Sequence, residues 1–307
     1  MNMTGNSNSN PFRGRWAKAS CQVPGSGHLE RDVPCQDRAG AWLAPRPCLM
    51  ILDGRGSASL SHLGAAAARE ALRTALRKWE PQLKTLLDEP GHELAAVGWQ
   101  GFARMLYHVA GLEQTKLAAW YDTGCDHFEF TLTLAVVGCE RIGWLAVGDS
   151  PLVISRHGIA GLATPLDETG FANQTTFVVA RPQGRLGLLG GVIPSVGVTA
   201  LLAMSDGAAT RLLELKQQTP APAISELIAC AASDRLHEAV LREMLKDAAW
   251  DRITRDDRSI ALLSLRTASS AIPEDSGEQG PVGIRASSEN RKATTTPARK
   301  PAVSHSH

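Results

Sequence analysis

Three apolar runs, FTLTLAVVG at 130–138, GWLAVG at 143–148 and the stretch 151–155, follow one another at hairpin-like spacing. Strands joined so closely pair antiparallel, because a parallel pair needs a long crossover connection. CLMIL at 48–52, VTALLAM at 198–204 and SIALLSL at 259–265 are further runs of the same kind, short enough to be strands buried in a sheet. Helical periodicity fills the intervals: Ser59 to about Lys84, Glu93 to about Tyr121, Gly207 to Gln218, and about Ile224 to Ala249 with Pro222 shortly before it. Strands and helices in segregated blocks predict an α+β fold, antiparallel sheets covered by helices, over a doubly wound parallel sheet.

No internal repeat interrupts this order. Residues 1–14 are polar, and from 268 to 307 the chain is rich in Ser, Thr, Pro and charge with almost nothing to bury. Both ends are therefore expected to be disordered, leaving 15–267 as one domain. Thirty-two Lys and Arg stand against 31 Asp and Glu, so no global field draws the molecule to nucleic acid or anionic lipid. The six cysteines form no C-x-x-C pair, which argues against a zinc knuckle or a redox site and for reduced, mostly buried thiols. No run of about 18 apolar residues occurs and the N-terminus lacks an apolar stretch, so the expectation is a cytoplasmic protein, neither secreted nor membrane-spanning, and monomeric.

Four acidic motifs stand directly beside predicted strands: CQDR at 35–38, LDGRGS at 52–57, MSDGA at 204–208 and RDDRS at 255–259. A strand running into Asp-Gly puts a carboxylate at its end, and the glycine lets the chain turn so tightly that its carbonyl can also face a cation. Asp-Gly is also the commonest kind of turn dipeptide, so each motif alone means little. Together they give what hard divalent cations prefer, several oxygen ligands from separate strands and no His or Cys cluster.

The ordered series Gln36-Asp37, Asp53-Gly54-Arg55-Gly56-Ser57, Gly148-Asp149-Ser150, Ser205-Asp206-Gly207 and Asp256-Asp257 resembles the metal-dependent protein phosphatases of the 2C type over about residues 15–267. Within that family it is most similar to the bacterial subtype marked by G-x-x-H, C-Q-D and D-G-x-G-S, here Gly25 to His28, Cys35 to Asp37 and Asp53 to Ser57, with FANQTTF at 171–177 in weaker agreement. The resemblance implies a four-layer α-β-β-α sandwich with two antiparallel sheets and a metal site at one end. It implies two Mn or Mg ions: Asp53 bridging both, the Gly54 carbonyl on one, Asp206 and Asp256 completing the other's shell, and Asp37 acting directly or through water. Asp53 and Asp206 are then the catalytic carboxylates of a serine/threonine phosphatase whose metal-activated water attacks phosphorus in line. The same subtype implies a phosphoprotein substrate, a cognate serine/threonine kinase and a von Willebrand A-type protein as partners.

The chain departs from the family pattern in places. Gln36 stands where many relatives have Glu, which weakens the second metal site. No arginine aligns upstream of the acidic pair to hold phosphate, leaving His28 as the candidate, with a structural histidine the alternative. Arg55 follows the bridging Asp-Gly where some relatives have a histidine; a guanidinium gives up no proton near neutral pH, so Arg55 is read as binding phosphate or as solvated, and the leaving-group proton falls to metal-bound water or His28. Asp126 is the candidate ligand for a third metal, Asp149 is read as a turn residue, and Asp257 could exchange roles with Asp256.

Other chemistries lack their motifs. Gly148-Asp149-Ser150-Pro151-Leu152 misses the closing glycine of a nucleophile elbow. No cysteine has an arginine six residues on, as a thiolate phosphatase requires, and no phosphate-binding Gly-rich loop is present. The remaining rival is a catalytically silent relative that binds phosphoproteins or partners, which Gln36 and Arg55 favour and the retained aspartates oppose.

Overall fold

A computed structural model describes residues 11–12, 14–91, 93–164, 175–182, 186–214 and 216–267. The expectations of disorder at 1–14 and 268–307 lie almost wholly outside these residues, as does most of the 171–177 motif. Twelve strands and seven α-helices occupy the described chain: β1 (Trp16–Val23), α1 (Ser26–Leu29), β2 (Arg38–Trp42), β3 (Cys48–Leu52), α2 (Ser61–Lys78), α3 (Glu80–Asp88), α4 (Ala95–Tyr121), β4 (Leu132–Val137), β5 (Arg141–Val147), β6 (Leu152–Arg156), β7 (Ile159–Leu162), β8 (Leu188–Pro194), β9 (Val198–Met204), α5 (Asp206–Leu212), β10 (Leu213–Glu214), β11 (Thr219–Pro220), α6 (Pro222–Ala232), α7 (Glu238–Lys246) and β12 (Arg258–Leu265).

Two five-stranded sheets carry the fold, one in the order β1-β12-β9-β6-β7 and the other β2-β3-β4-β5-β8. All their pairings are antiparallel. Side chains alternate across a strand, and β3 shows what that does here. Leu49 and Ile51 point into a cluster shared with Leu201, Ala203, Ala261 and Leu263 of the other sheet. Cys48, Met50 and Leu52 point the opposite way, onto Ala65, Leu72, Trp99 and Leu106 of α2 and α4. On the far side, Leu202, Met204, Ile260 and Leu262 pack beneath α5, α6 and α7. Three apolar layers thus separate four structural ones, which is the α-β-β-α sandwich that the motif resemblance implies.

The helices depart from their predicted bounds where the chain meets helix-breaking residues. The predicted helix 59–84 is two helices, α2 and α3, separated at Trp79, because Pro81 cannot continue a helix but suits a new first turn. The predicted 224–249 helix is likewise α6 and α7, divided by a turn in which Asp234 takes φ of 53°, and Pro222 begins α6 instead of preceding it. α5 stops at Leu212 and the chain enters the β10–β11 pair, so the 207–218 helix is about half its predicted length. Strands β1, β2, β7 and β8 and the two-residue β10 and β11 add to those read from sequence; β7 and β8 are partly exposed and carry no continuous apolar run.

Candidate metal centre

The sheet registers bring the acidic motifs together. Asp37 precedes β2 and Asp53 follows β3, and because Arg38 pairs with Leu52 the two aspartates are neighbours at one end of that hairpin. Asp206 follows β9 and Asp257 precedes β12; Met204 pairs with Ile260, and Ser205 N–H donates to Ser259 O at 3.1 Å, so these too lie at one strand end. Asp149 follows β5.

Electrostatics show that the carboxylates from both sheets share one site. Asp37 is 1% exposed, and burial, followed by the charge of Asp257, pushes its carboxyl well above the ordinary carboxylate range. Asp53 is raised well above it too, by desolvation first and then by Asp37, Asp206, Asp256 and Asp149. Asp206 lies within hydrogen-bonding reach of Asp53 and is pushed up to about 6, by desolvation first and then by Asp256 and Asp149. Although Asp206 and Asp256 both have accessible surface, each adds charge to the same cluster.

The backbone is built for this crowding. A Cβ on Gly54 would lie 2.8 Å from Gln36 Cβ and 2.8 Å from Ser61 Oγ. A Cβ on Gly207 would lie 2.1 Å from the Asp257 carbonyl oxygen. Glycine is required at both positions for close approach, which is why Asp-Gly occurs at these strand ends.

Asp256 and Asp257 separate into distinct tasks. Asp257 is 2% exposed; its Oδ1 accepts from Gly25 N–H at 2.8 Å and its Oδ2 from Gln36 N–H at 2.5 Å. His28 Nδ1 also lies 2.8 Å from Oδ1, and the tautomer with Nδ1–H fits an oxygen that accepts from both. Asp257 therefore ties the Gly25–His28 turn to the Gln36-Asp37 motif, while Asp256 bears on Asp53 and Asp206. His28 is buried at 4% exposure with Nδ1 committed to Asp257, a position that suits bracing the loop and not contact with phosphate.

Arg55 stands beside Gly54 with its side chain 43% exposed. Its Nη1 donates to Glu129 Oε2 at 2.6 Å and its guanidinium lies 5.3 Å from the centre of the Phe177 ring. Asp149, expected to be a turn residue, also contributes charge to the cluster and accepts from Thr175 Oγ1 at 2.8 Å. Asp126 is exposed in the 3-10 turn Cys125–Phe128 and is not among the carboxylates that bear on Asp53 or Asp206. Thr175 and Phe177 belong to the 171–177 motif quoted from sequence, but their contacts with Asp149 and Arg55 emerge only from the fold, and Glu129 carried no signal in the sequence at all.

The donor set fits hard divalent cations. Asp37 Oδ2 and Gln36 Oε1 are buried without a hydrogen-bond partner among the described residues, and several carboxylates are gathered where burial and mutual repulsion disfavour their charge. Cations remove that penalty, and every donor is oxygen. Among the described residues no three His, Cys, Asp or Glu side chains form a ready ligand group around a single point.

A helix-covered double sheet with an acidic cluster at the shared end of both sheets defines a class of architecture to which the chain conforms. The chain belongs to the protein phosphatase 2C family, whose profile matches residues 24–246. No curated protein matches the sequence significantly. Solved structures share the fold at low identity. Serine/threonine phosphatase Stp1 from Staphylococcus aureus is 12% identical with a TM-score of 0.54, over 81% of this chain and 95% of that one. PppA, a regulatory component of T6SS in Pseudomonas aeruginosa, is 17% identical with a TM-score of 0.53, over 82% and 98%. The catalytic domain of the serine threonine protein phosphatase PstP, solved in complex with two manganese ions, is 16% identical with a TM-score of 0.54, over 82% and 99%.

Proposed function

We propose that the chain is a metal-dependent serine/threonine protein phosphatase that hydrolyses phosphoserine and phosphothreonine in other proteins. The observation that carries this reading is the convergence of Asp37, Asp53, Asp206 and Asp256 on one site at the shared end of two sheets, in a chain of the protein phosphatase 2C family. Asp53, the Gly54 carbonyl, Asp37, Asp206 and Asp256 would hold two Mn or Mg ions, and manganese in the PstP structure supports the choice. When bound, such ions supply a water acidic enough to act as hydroxide and offset the charge on phosphate oxygens.

The protein's own groups do the rest. Asp257 and His28 brace the loop that presents Asp37. Arg55, anchored on one edge by Glu129, offers its remaining N–H groups to a phosphate beside Gly54. Gln36 brings no negative charge, so the second ion would depend more on the carboxylates Asp37 and Asp53.

The substrate is a phosphoprotein, and the motif resemblance makes a cognate serine/threonine kinase and a von Willebrand A-type protein the partners to seek. A cytoplasmic monomer is the form we assign: six free cysteines suit a reducing compartment, and among the described residues no helix is long and apolar enough to cross a membrane. The test is release of inorganic phosphate from a phosphothreonine peptide in manganese, with and without chelator. Release that chelation abolishes supports the reading; release indifferent to metal refutes it, and none from folded, manganese-treated protein favours a silent phosphoprotein-binding module.

A further inference from the structure

We infer that Gln114, in the middle of α4, is a positioning residue for Arg55; the inference rests on the reading of Arg55 as a phosphate ligand. Gln114 is completely buried, although a glutamine has two donors and an acceptor to satisfy. Its Nε2 donates to Phe128 O at 3.3 Å and to Val178 O at 2.7 Å. Both partners are carbonyls, so the amide orientation is fixed by chemistry: nitrogen faces them, and Oε1 is left buried without a partner. A buried side chain with an unsatisfied oxygen is costly for stability alone, and a donor pair that joins two separate segments is what it provides.

Those two segments are the ones that hold the guanidinium of Arg55. Glu129, next after Phe128, accepts from Arg55 Nη1 at 2.6 Å, and Phe177, just before Val178, lies under the guanidinium at 5.3 Å. The backbone repeats the connection: Arg55 N–H donates to Glu129 O at 3.0 Å, Thr131 N–H to Asp53 O at 2.7 Å, and Val178 N–H to Phe130 O at 2.8 Å. α4 grips the second segment at two more places in helical spacing. Tyr107 Oη accepts from Val179 N–H at 3.1 Å, and Gly111 lets the helix approach until a Cβ there would lie 3.2 Å from Val179 O. One face of α4, Tyr107, Gly111 and Gln114, thus fixes the distance between Glu129 and Phe177, and with it the direction in which Arg55 points.

The test is a double-mutant cycle read by calorimetric titration of inorganic phosphate into the manganese-loaded protein, so that it does not depend on turnover. Arg55→Ala is expected to weaken phosphate binding about tenfold, the range of a lost hydrogen bond to a charged group. Gln114→Met, which keeps the length and removes the donors, is expected to weaken it several-fold, and the double variant to bind no more weakly than Arg55→Ala. Should Gln114→Met fail to fold, Tyr107→Phe removes a single acceptor and is expected to shift binding in the same direction. The inference is overturned if the foldable variant melts at a lower temperature yet binds phosphate as the wild type does, or if the effects of Gln114→Met and Arg55→Ala multiply. A wild type that hydrolyses nothing but shows this binding pattern sinks the enzyme reading and leaves the inference standing; one that binds no phosphate sinks the inference whatever it hydrolyses.

Discussion

At the scale of single residues, the site is made by groups forced to accept unfavourable surroundings. Gly207 has a backbone carbonyl where a Cβ would stand, so Gly207→Ala must displace the Asp257 segment and is expected to cost about 2 kcal/mol or more, measured by urea denaturation. The crowded carboxylates set a pH dependence of unusual sign. Asp206 titrates at about 6 in the folded chain against an ordinary 3.8, so its ionisation disfavours the folded state; the penalty develops as pH rises through that interval and persists above it. Asp37 and Asp53 act in the same sense. Metal-free protein is therefore expected to melt at a higher temperature at about pH 5 than at about pH 7, and manganese to remove the difference. Chelated protein that melts lower at the more acidic pH contradicts this reading of the cluster.

At the scale of elements, the loops between strands divide their labour by residue, and neighbouring aspartates have unlike tasks. Asp257→Ala strips the acceptor from Gly25 N–H, Gln36 N–H and His28 Nδ1 and is expected to cost about 3 kcal/mol in denaturant melts. Asp256→Ala, which removes only the acceptor of Asp257 N–H, is expected to cost about 1 kcal/mol or less while weakening manganese binding in a calorimetric titration. Sequence could not assign these tasks, since Asp256-Asp257 reads the same from either side; the division depends on which carboxylate turns toward Gly25, a fact of tertiary contact. Strand β3 by contrast was legible to the residue, because five apolar residues buried on both faces leave no other reading. Helix bounds were harder: apolar periodicity continues through Trp79 and through Asp234, and the breaks come from Pro81 and from a left-handed turn. Strand β8, with two central glycines and partly exposed side chains, gave no periodic signal; its pairing along β5 is what makes it a strand.

At the scale of the whole molecule, the two sheets are held face to face by an apolar layer in which Leu201 is completely buried. Leu201→Ala is expected to cost about 3 kcal/mol, measured by denaturation, with phosphate affinity unchanged in the fraction that remains folded. Antiparallel sheets were legible from the short β4–β5 connection. Strand β6, equally close behind β5, joins the other sheet, so the four layers followed from the motif resemblance and not from chain proximity. The acidic cluster was legible because Asp-Gly recurs at strand ends. What surrounds the cluster was not: Glu129 and Gln114 are single polar residues whose partners lie far along the chain, with no local pattern to distinguish them from surface or core, and Phe177, although part of the 171–177 motif, shows its contact with Arg55 only in the fold. The central claim is that carboxylates of both sheets hold cations that hydrolyse a phosphoester. Phosphate release from a phosphothreonine peptide, compared between the intact chain and Asp53→Asn in millimolar manganese, tests it most directly. Manganese-dependent release by the intact chain that falls to background in the variant is the predicted result, and release by Asp53→Asn at an undiminished rate contradicts the account.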